Sequence, residues 1–201
     1  MGKPTRRTPE PGGRLRDPDR TRQALLDAAR AEFAAKGLEG ARVGAIAERA
    51  GVNKQLISYY FGGKQGLYDA IVDEWLAHER ELQSPDIDMA DLACRYLDVV
   101  FDQPDLHTLF IRENLDADVE SIEPEPDSDD MREMRRRRDA GEIPDDVDPG
   151  YLLLVLQAMV SAGATFPGDV RRHLGLDPRS EEFRLLASEQ LPVLVRRMLG
   201  G

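Results

Sequence analysis

The chain has 201 residues, of which 41% are hydrophobic and 6% aromatic, and its formal net charge is −11 at pH 7. The single cysteine, Cys94, excludes a disulfide within the chain, and we expect it to pack as a small apolar side chain in a reducing compartment. No segment reaches the roughly 18 apolar residues of a membrane span, and the N-terminus has no secretory h-region. We therefore expect a cytoplasmic protein with no membrane partner.

The charge is divided unevenly along the chain. Residues 1–64 contain 13 Lys and Arg against 7 Asp and Glu, whereas residues 65–201 contain 14 against 31. A basic end on an acidic body is typical of a protein that binds nucleic acid through one segment. Chance clustering gives the same numbers, so the charge alone leaves the question open.

The N-terminal segment 1–17 is rich in Pro, Gly and Arg and nearly devoid of core-forming residues, which predicts a disordered basic arm. Its arginines either contact DNA, for example in a minor groove, or form a solvated tail; they are Arg6, Arg7, Arg14 and Arg16. Beyond this arm, Asp17 followed by Pro18 predicts the start of a first helix. Apolar residues at helical spacing extend it to about Lys36, and Gly37 is expected to end it.

Residues 42–61 have the spacing of two short helices joined by a tight turn. The first helix is predicted over 42–50 and the second over 54–61, with Asn53 as the N-cap of the second. Ala47 is small where the helices cross, and Gly51 can take the positive φ of the turn. This pattern predicts a helix-turn-helix whose second helix enters the major groove of DNA.

The remaining chain also has helical periodicity. A fourth helix is predicted from Lys64 to Gln83, and an acidic loop is predicted at 123–130. Arg135–Arg138 is interpreted as a solvated helix face near that loop rather than as a second DNA site. Further helices are predicted over 88–102, 105–115, 131–141 and 150–163, and from about residue 180, with one or two turns near 169–175. No segment has strand periodicity, so we predict an all-α fold of about nine helices.

The segment 21–75 resembles the N-terminal domain of TetR-family transcriptional regulators. It contains "IAERAGV", "YYF" and "GGKQGLY" in order and without gaps, and it spans the three DNA-binding helices and the start of the fourth. The resemblance implies a dimeric, ligand-responsive, repressor-like protein that binds a palindromic operator. It implies a DNA-binding domain over 18–63 and a ligand-binding and dimerisation domain over 64–201.

Within this resemblance, 54–61 is the recognition helix, and Leu56, Ile57 and Phe61 hold it to the domain. The residues expected at the DNA are Arg42, Asn53, Lys54, Gln55, Ser58, Tyr59, Tyr60 and Lys64. Lys64 matches a phosphate-contacting lysine of the family, and the N-terminus of its helix also favours a phosphate.

Two residues of this chain depart from the family's usual pattern of DNA contacts. Arg42 stands where the family usually has a capping Thr or Ser, so its charge can reach phosphate although the cap is lost. Ser58 stands where Tyr is frequent, which leaves more of the interface to Tyr59 and Tyr60. Packing of either tyrosine against the first helix is the alternative interpretation.

A ligand pocket in the second domain would lie between helices. The candidate lining residues favour an apolar or amphipathic small molecule, although ordinary core packing explains each of them as well. They are Tyr96, Phe101, His107, Phe110, Met159 and Phe166. The three histidines, His78, His107 and His173, have no metal-ligand spacing, so no metal site and no cofactor are predicted.

The helix 150–163 is apolar on nearly all sides, which is too much for a helix packed on one face. Together with 180–199 it is expected to form a four-helix interface in a two-fold homodimer. Such symmetry would match a palindromic operator with half-sites about 34–36 Å apart or a multiple of that.

Two other classes of protein are alternatives for an all-helical chain of this composition. An enzyme is disfavoured because the chain has no nucleophile elbow, phosphate loop, HExxH motif or paired cysteines. A helical interaction protein without DNA binding would suit the acidic body, and salt-dependent binding to a palindromic duplex would discriminate against it.

Overall fold

The computed structural model describes residues 18–83 and 86–200, and every regular element in these ranges is a helix. The all-α prediction is therefore confirmed, and the predicted count of about nine is close to the ten α-helices found. The arm predicted at 1–17 lies outside the described residues. The helices are α1 (Pro18–Gly40), α2 (Val43–Arg49), α3 (Gln55–Phe61), α4 (Lys64–Leu82), α5 (Met89–Asp102), α6 (Pro104–Asp116), α7 (Asp129–Asp139), α8 (Pro149–Thr165), α9 (Pro167–Asp169) and α10 (Glu181–Met198). A 3₁₀ turn, Val119–Ser121, precedes α7, and a π-helical turn, Val170–Leu174, follows α9 directly.

Side-chain caps set the start of four of these helices. The oxygens of Asp88, Ser128, Asp148 and Ser180 each accept a hydrogen bond from the backbone N–H three residues later. Each such cap satisfies an otherwise unpaired amide of the first helical turn and stabilises the helix by about 1 kcal/mol. Pro149 at the first position of α8 adds a pre-set φ angle.

Gly37 ends the first helical segment of α1, as predicted. It has the non-helical angles φ 69° and ψ 170°, and a short second helical segment follows the kink to Gly40. Its Cα faces α6 so closely that a Cβ would lie 3.4 Å from Cδ of Arg112. That distance is an ordinary van der Waals contact, so it is the positive φ that favours glycine at the kink.

Two hydrophobic clusters form the interior. The first cluster joins α1, α2, α3 and α4, and it also includes Leu106 and Leu109 of α6. The second cluster is built by α5, α7, α8 and α10, with Ile143 from the loop before α8. Apolar packing therefore continues across residue 63, because α4 and α6 both pack against α1.

In the part of the chain that is described, no single helix is long and apolar enough to cross a membrane. Pro149–Thr165 and Pro167–Leu174 together have the required length and composition, but they are bent by 66° relative to each other. Leu152, Leu156 and Val160 of the first of these helices are buried in the second cluster.

Candidate functional site

The turn between α2 and α3 is closed by backbone hydrogen bonds. The N–H of Gly51 donates to the carbonyl of Glu48 at 3.0 Å, and that of Val52 donates to Ala47, also at 3.0 Å. Gly51 has φ 66°, the left-handed conformation that closes this kind of helix end. Asn53 Oδ1 then accepts the N–H of Gln55 at 2.9 Å and caps α3, as its sequence position predicts.

The helix α3 has one buried and one exposed face. Ile57 is fully buried, and Leu56, Tyr60 and Phe61 pack partly buried against the first cluster. The guanidinium of Arg22 lies 5.4 Å from the centre of the Phe61 ring. This packing on α1 and its neighbours fixes the orientation in which α3 presents its outer face.

The outer face of α3 is polar and aromatic. Tyr59 is 79% exposed, and its ring meets the ring of Tyr60 edge to face at 5.0 Å. The other predicted DNA contacts on this side are exposed as well, apart from Tyr60 and Lys64, which are half-buried. They are Arg42, Asn53, Lys54, Gln55 and Ser58. Tyr60 thus packs partly against the core, which is the alternative interpretation given for either tyrosine. Contact with DNA stays a prediction for all eight residues.

The side chain of Arg42 does not cap α2, as predicted from the absence of the family's usual Thr or Ser at this position. The buried carboxylate of Glu32 lies nearby instead, where it accepts the N–H of Arg42 at 3.5 Å and Nζ of Lys36 at 2.7 Å. The hydrogen bond from Lys36 is the main reason that the pKa of Glu32 is lowered. A residue on α1, which sequence reasoning missed, thus supports the start of α2.

Lys64 has partners within the protein. Its ammonium donates to the carbonyls of Leu38 at 2.7 Å, Glu39 at 3.1 Å and Ala41 at 3.4 Å. Carbonyls at a helix C-terminus lack intrahelical partners, so a cation there stabilises the end of α1. The predicted phosphate contact would have to share this ammonium with the three carbonyls.

A second feature is a cavity of about 630 Å³ between α4, α5, α6, α7 and α8. Four of the six predicted ligand residues line it, namely Tyr96, His107, Phe110 and Phe166. The predicted lining residues Phe101 and Met159 lie elsewhere. Phe101 packs 6.0 Å from the ring of Phe183 and under the guanidinium of Arg184, whereas Met159 packs against the second cluster.

Hydrogen-bonded polar groups form a continuous polar part of the wall of this cavity. Tyr96 donates its hydroxyl proton to Glu79 at 2.9 Å, and Gln83 Nε2 lies 3.3 Å from the Tyr96 oxygen and 3.5 Å from a carboxylate oxygen of Asp130. Burial raises the pKa of both carboxyls, and the charge of Asp130 raises that of Glu79 further. The sequence predicts only Tyr96 of this group, because Glu79, Gln83 and Asp130 come from α4, the residue that follows it, and α7.

Arg137 corrects the interpretation of the arginine run as a solvated face. Arg135, Arg136 and Arg138 do have exposed or partly exposed side chains, but that of Arg137 is only 1% exposed. Its Nε donates to Glu133 at 2.8 Å, and its Nη1 donates to Glu142 at 2.7 Å and to the carbonyl of Ile87 at 3.0 Å. Burial is possible because these partners neutralise the charge and accept hydrogen bonds from Nε and Nη1.

Contacts between α1, α4 and α6 join the cavity to the helix-turn-helix. Glu74 of α4 accepts from Arg22 at 2.9 Å and from Arg30 at 2.6 Å, both on α1. The hydroxyl of Tyr68 on α4 donates to Glu113 on α6. Trp75, one residue after Glu74, lines the cavity, so a single helix contacts both the DNA-binding core and the cavity.

Comparison with known proteins agrees with this architecture. Residues 25–71 match the family model described as bacterial regulatory proteins, tetR family. The chain is 32% identical over 187 residues to the HTH-type transcriptional regulator RutR of Escherichia coli strain K12, covering 86% of this chain and 87% of that protein. It is 29% identical over 160 residues to the HTH-type transcriptional repressor SCO4008 of Streptomyces coelicolor, covering 76% and 82%.

A solved structure, that of the putative transcriptional regulator SCO4942 from Streptomyces coelicolor, superimposes with a TM-score of 0.69 at 25% identity. The match covers 89% of this chain and 97% of that one. The chain belongs to the TetR family of bacterial transcriptional regulators. It is a DNA-binding regulator of transcription that uses a helix-turn-helix, and the resemblance found in 21–75 is confirmed.

Proposed function

We propose that the protein is a homodimeric, ligand-responsive repressor that binds a palindromic operator in the cytoplasm. In this proposal 18–63 reads the DNA, and 64–201 binds an apolar or amphipathic effector and holds the dimer together. The observation that carries it is the 630 Å³ cavity, whose walls include α4 and α6, the helices that also pack into the DNA-binding core. A cavity of this size is in the range of small-molecule sites.

The DNA interface is proposed to be the exposed face of α3 together with the starts of α2 and α4. Ser58 and Tyr59 are exposed on a helix whose other face is held by Ile57. Side chains anchored in this way can reach base edges in the major groove without rearranging the core. Arg42 and Lys64 would contribute charge toward the phosphates.

The dimer interface is proposed on α8 and α10. Tyr151 and Leu154 of α8 are 69% and 62% exposed, and the neighbouring turn adds the exposed Ala158. On α10, Leu185 is 57% exposed and Leu194 48%. Apolar faces of this extent are unfavourable in water, and a two-fold contact that pairs them would bury both copies.

Effector control is proposed to act through α4 and α6. Trp75 and Phe110 line the cavity, while Ile71 on α4 and Leu109 on α6 lie in the first cluster. A molecule that fits one arrangement of these helices better than the other shifts the balance by its difference in affinity. The two DNA-binding units of the dimer would then change their spacing.

The test begins with selection of bound sequences from a random DNA duplex pool. We expect an enriched inverted repeat, a mass in solution of two chains, and a logarithm of affinity that falls steeply with the logarithm of salt concentration. Enrichment of a single unrepeated site, or a monomer at the DNA-binding concentration, would reject the dimeric proposal. Equal spacing of the two DNA-binding units with and without effector would reject the proposed control.

A further inference from the structure

The cavity is chemically asymmetric. Aromatic and aliphatic side chains form most of its wall, among them Trp75, Phe110 and Leu156. The polar chain that joins Glu79 to Asp130 through Tyr96 and Gln83 forms a continuous polar part of the wall. A ligand that fits such a space has an apolar body and one polar end directed at the two carboxylates.

The charged lining residues are three acids and one base. Glu79, Asp130, Glu133 and Arg137 line the cavity, and Arg137 is already paired with Glu133 and with Glu142 behind it. Within the described residues neither Glu79 nor Asp130 forms an ion pair; their hydrogen-bond partners are the neutral groups of Tyr96 and Gln83. Among the described residues the cavity thus holds two carboxylates without an ion-pair partner, although the charge of Arg80 partly opposes the rise of the Glu79 pKa.

Two half-buried carboxylates near each other carry an energetic cost in the empty cavity. Removal from water disfavours the charged form of each, and mutual repulsion adds to that. A bound cation would offset both effects, whereas an anion would add a third negative charge. The neutral amide of Gln83 cannot supply the missing charge.

One face of α7 forms part of the cavity wall. Asp130, Glu133 and Arg137 line the cavity and are three or four residues apart on this helix, so they lie on the same side of it. Nη2 of Arg137 and Nε2 of His107 have no hydrogen-bond partner among the described residues, but both atoms are shielded by their neighbours and do not determine the ligand.

We propose that the effector is an amphipathic organic cation, with its positive group between Glu79 and Asp130 and its apolar body along Trp75 and Phe110. This inference rests on the proposed function of the cavity as the effector site. The charge of the two carboxylates determines the class of ligand. A carboxylate pair in a largely apolar space disfavours anions and binds a cation more tightly than a neutral molecule of equal size. The ring of Trp75 lies 6.2 Å from the ring of Tyr96, which donates to Glu79, so an aromatic ring that attracts cations is close to the proposed position of the positive group.

The test uses three probes that share one apolar chain: decylammonium, decanol and decanoate, each in the micromolar range. Trp75 is the only tryptophan of the chain and lines the cavity, so its fluorescence reports occupancy. We expect decylammonium to bind more tightly than either other probe by about tenfold or more, the effect of a charge-assisted contact. We also expect it to release the selected operator at concentrations that saturate the fluorescence change.

Matched variants distinguish the effect of the two cavity carboxylates from the effect of the protein's net charge. The pair E79Q and D130N, made together in the full-length dimer, should remove the preference for decylammonium while leaving decanol binding unchanged. The control pair E81Q and D129N makes the same charge change one or two residues away at exposed positions and should keep the preference. The inference is overturned if the preference survives in the first pair, or if the control pair loses it equally.

The remaining outcomes distinguish failure of the cation inference from failure of the proposed effector site. If decanol or decanoate binds at least as tightly and releases the operator, the cation inference fails and the effector function of the cavity stands. If none of the three changes the Trp75 fluorescence or the operator affinity, the cavity is not the effector site and both fail.

Discussion

Replacing Tyr59 with alanine separates DNA contact from folding. Because the side chain is 79% exposed, only about a fifth of a ring surface of ~200 Å² is lost from the interior. At ~25 cal/mol per Å² this amounts to about 1 kcal/mol, and the edge-to-face contact with Tyr60 adds at most about 1 kcal/mol. The better helix propensity of alanine offsets part of this, so the free energy of unfolding should fall by about 1 kcal/mol.

The expected effect on DNA binding is larger. Loss of one base or groove contact costs about 1–3 kcal/mol, and the proposed dimer loses it at both half-sites, about 2–6 kcal/mol in total. Operator affinity should therefore fall by roughly 30-fold to 10⁴-fold. The measurement is fluorescence anisotropy with the selected operator at fixed salt, alongside thermal unfolding of the same sample. The control is V119A, an apolar change at a side chain that is 76% exposed in the 3₁₀ turn before α7, outside the proposed DNA and dimer interfaces.

Unchanged operator affinity of Y59A, with folding intact, would refute the reasoning that the exposed ring of α3 faces DNA. A loss of stability much larger than about 2 kcal/mol would instead show that Tyr59 is a packing residue. The half-buried Tyr60 provides the contrast, since Y60A should lower both stability and affinity.

Three further predictions concern buried charges. E32Q should lower the free energy of unfolding by about 1 kcal/mol. Because folding lowers the pKa of Glu32, the stabilisation by its carboxylate is present above the ordinary pKa of 4.5 and is lost as the pH falls below that value. A series of urea denaturations at different pH values would detect this loss. E79Q with D130N should raise the melting temperature of the ligand-free protein at pH 7. Folding raises the pKa of both carboxyls, so the destabilisation by their charges grows as the pH rises through these pKa values, and the gain in melting temperature should be smaller in acid. An equal gain in melting temperature at all pH values would contradict this. R137M should destabilise the fold by about 3 kcal/mol, because it leaves the carboxylates of Glu133 and Glu142 without their shared cation, and thermal unfolding that matches the wild type would contradict this.

The sequence by itself determined the helices and the helix-turn-helix. Apolar periodicity, the cap at Asn53 and the glycine at 51 depend on residues a few positions apart, and backbone hydrogen bonds within a helix are equally local. For the same reason the buried role of Ile57 and the helix predicted over 150–163 agree with the structure, where α8 is Pro149–Thr165.

Only the tertiary structure decided which faces of the later helices turn inward. Arg137 belongs to a run of four arginines whose sequence predicts a solvated helix face. In the structure α7 packs so that the guanidinium of Arg137 donates to Glu142 and to a carbonyl 50 residues away. Glu79 and Asp130 come from helices that are distant in sequence, and Phe101 lies outside the cavity because α5 turns that residue toward α10. Helix packing angles depend on the joint fit of many side chains, so contacts between non-adjacent helices cannot be derived from the periodicity of any one of them.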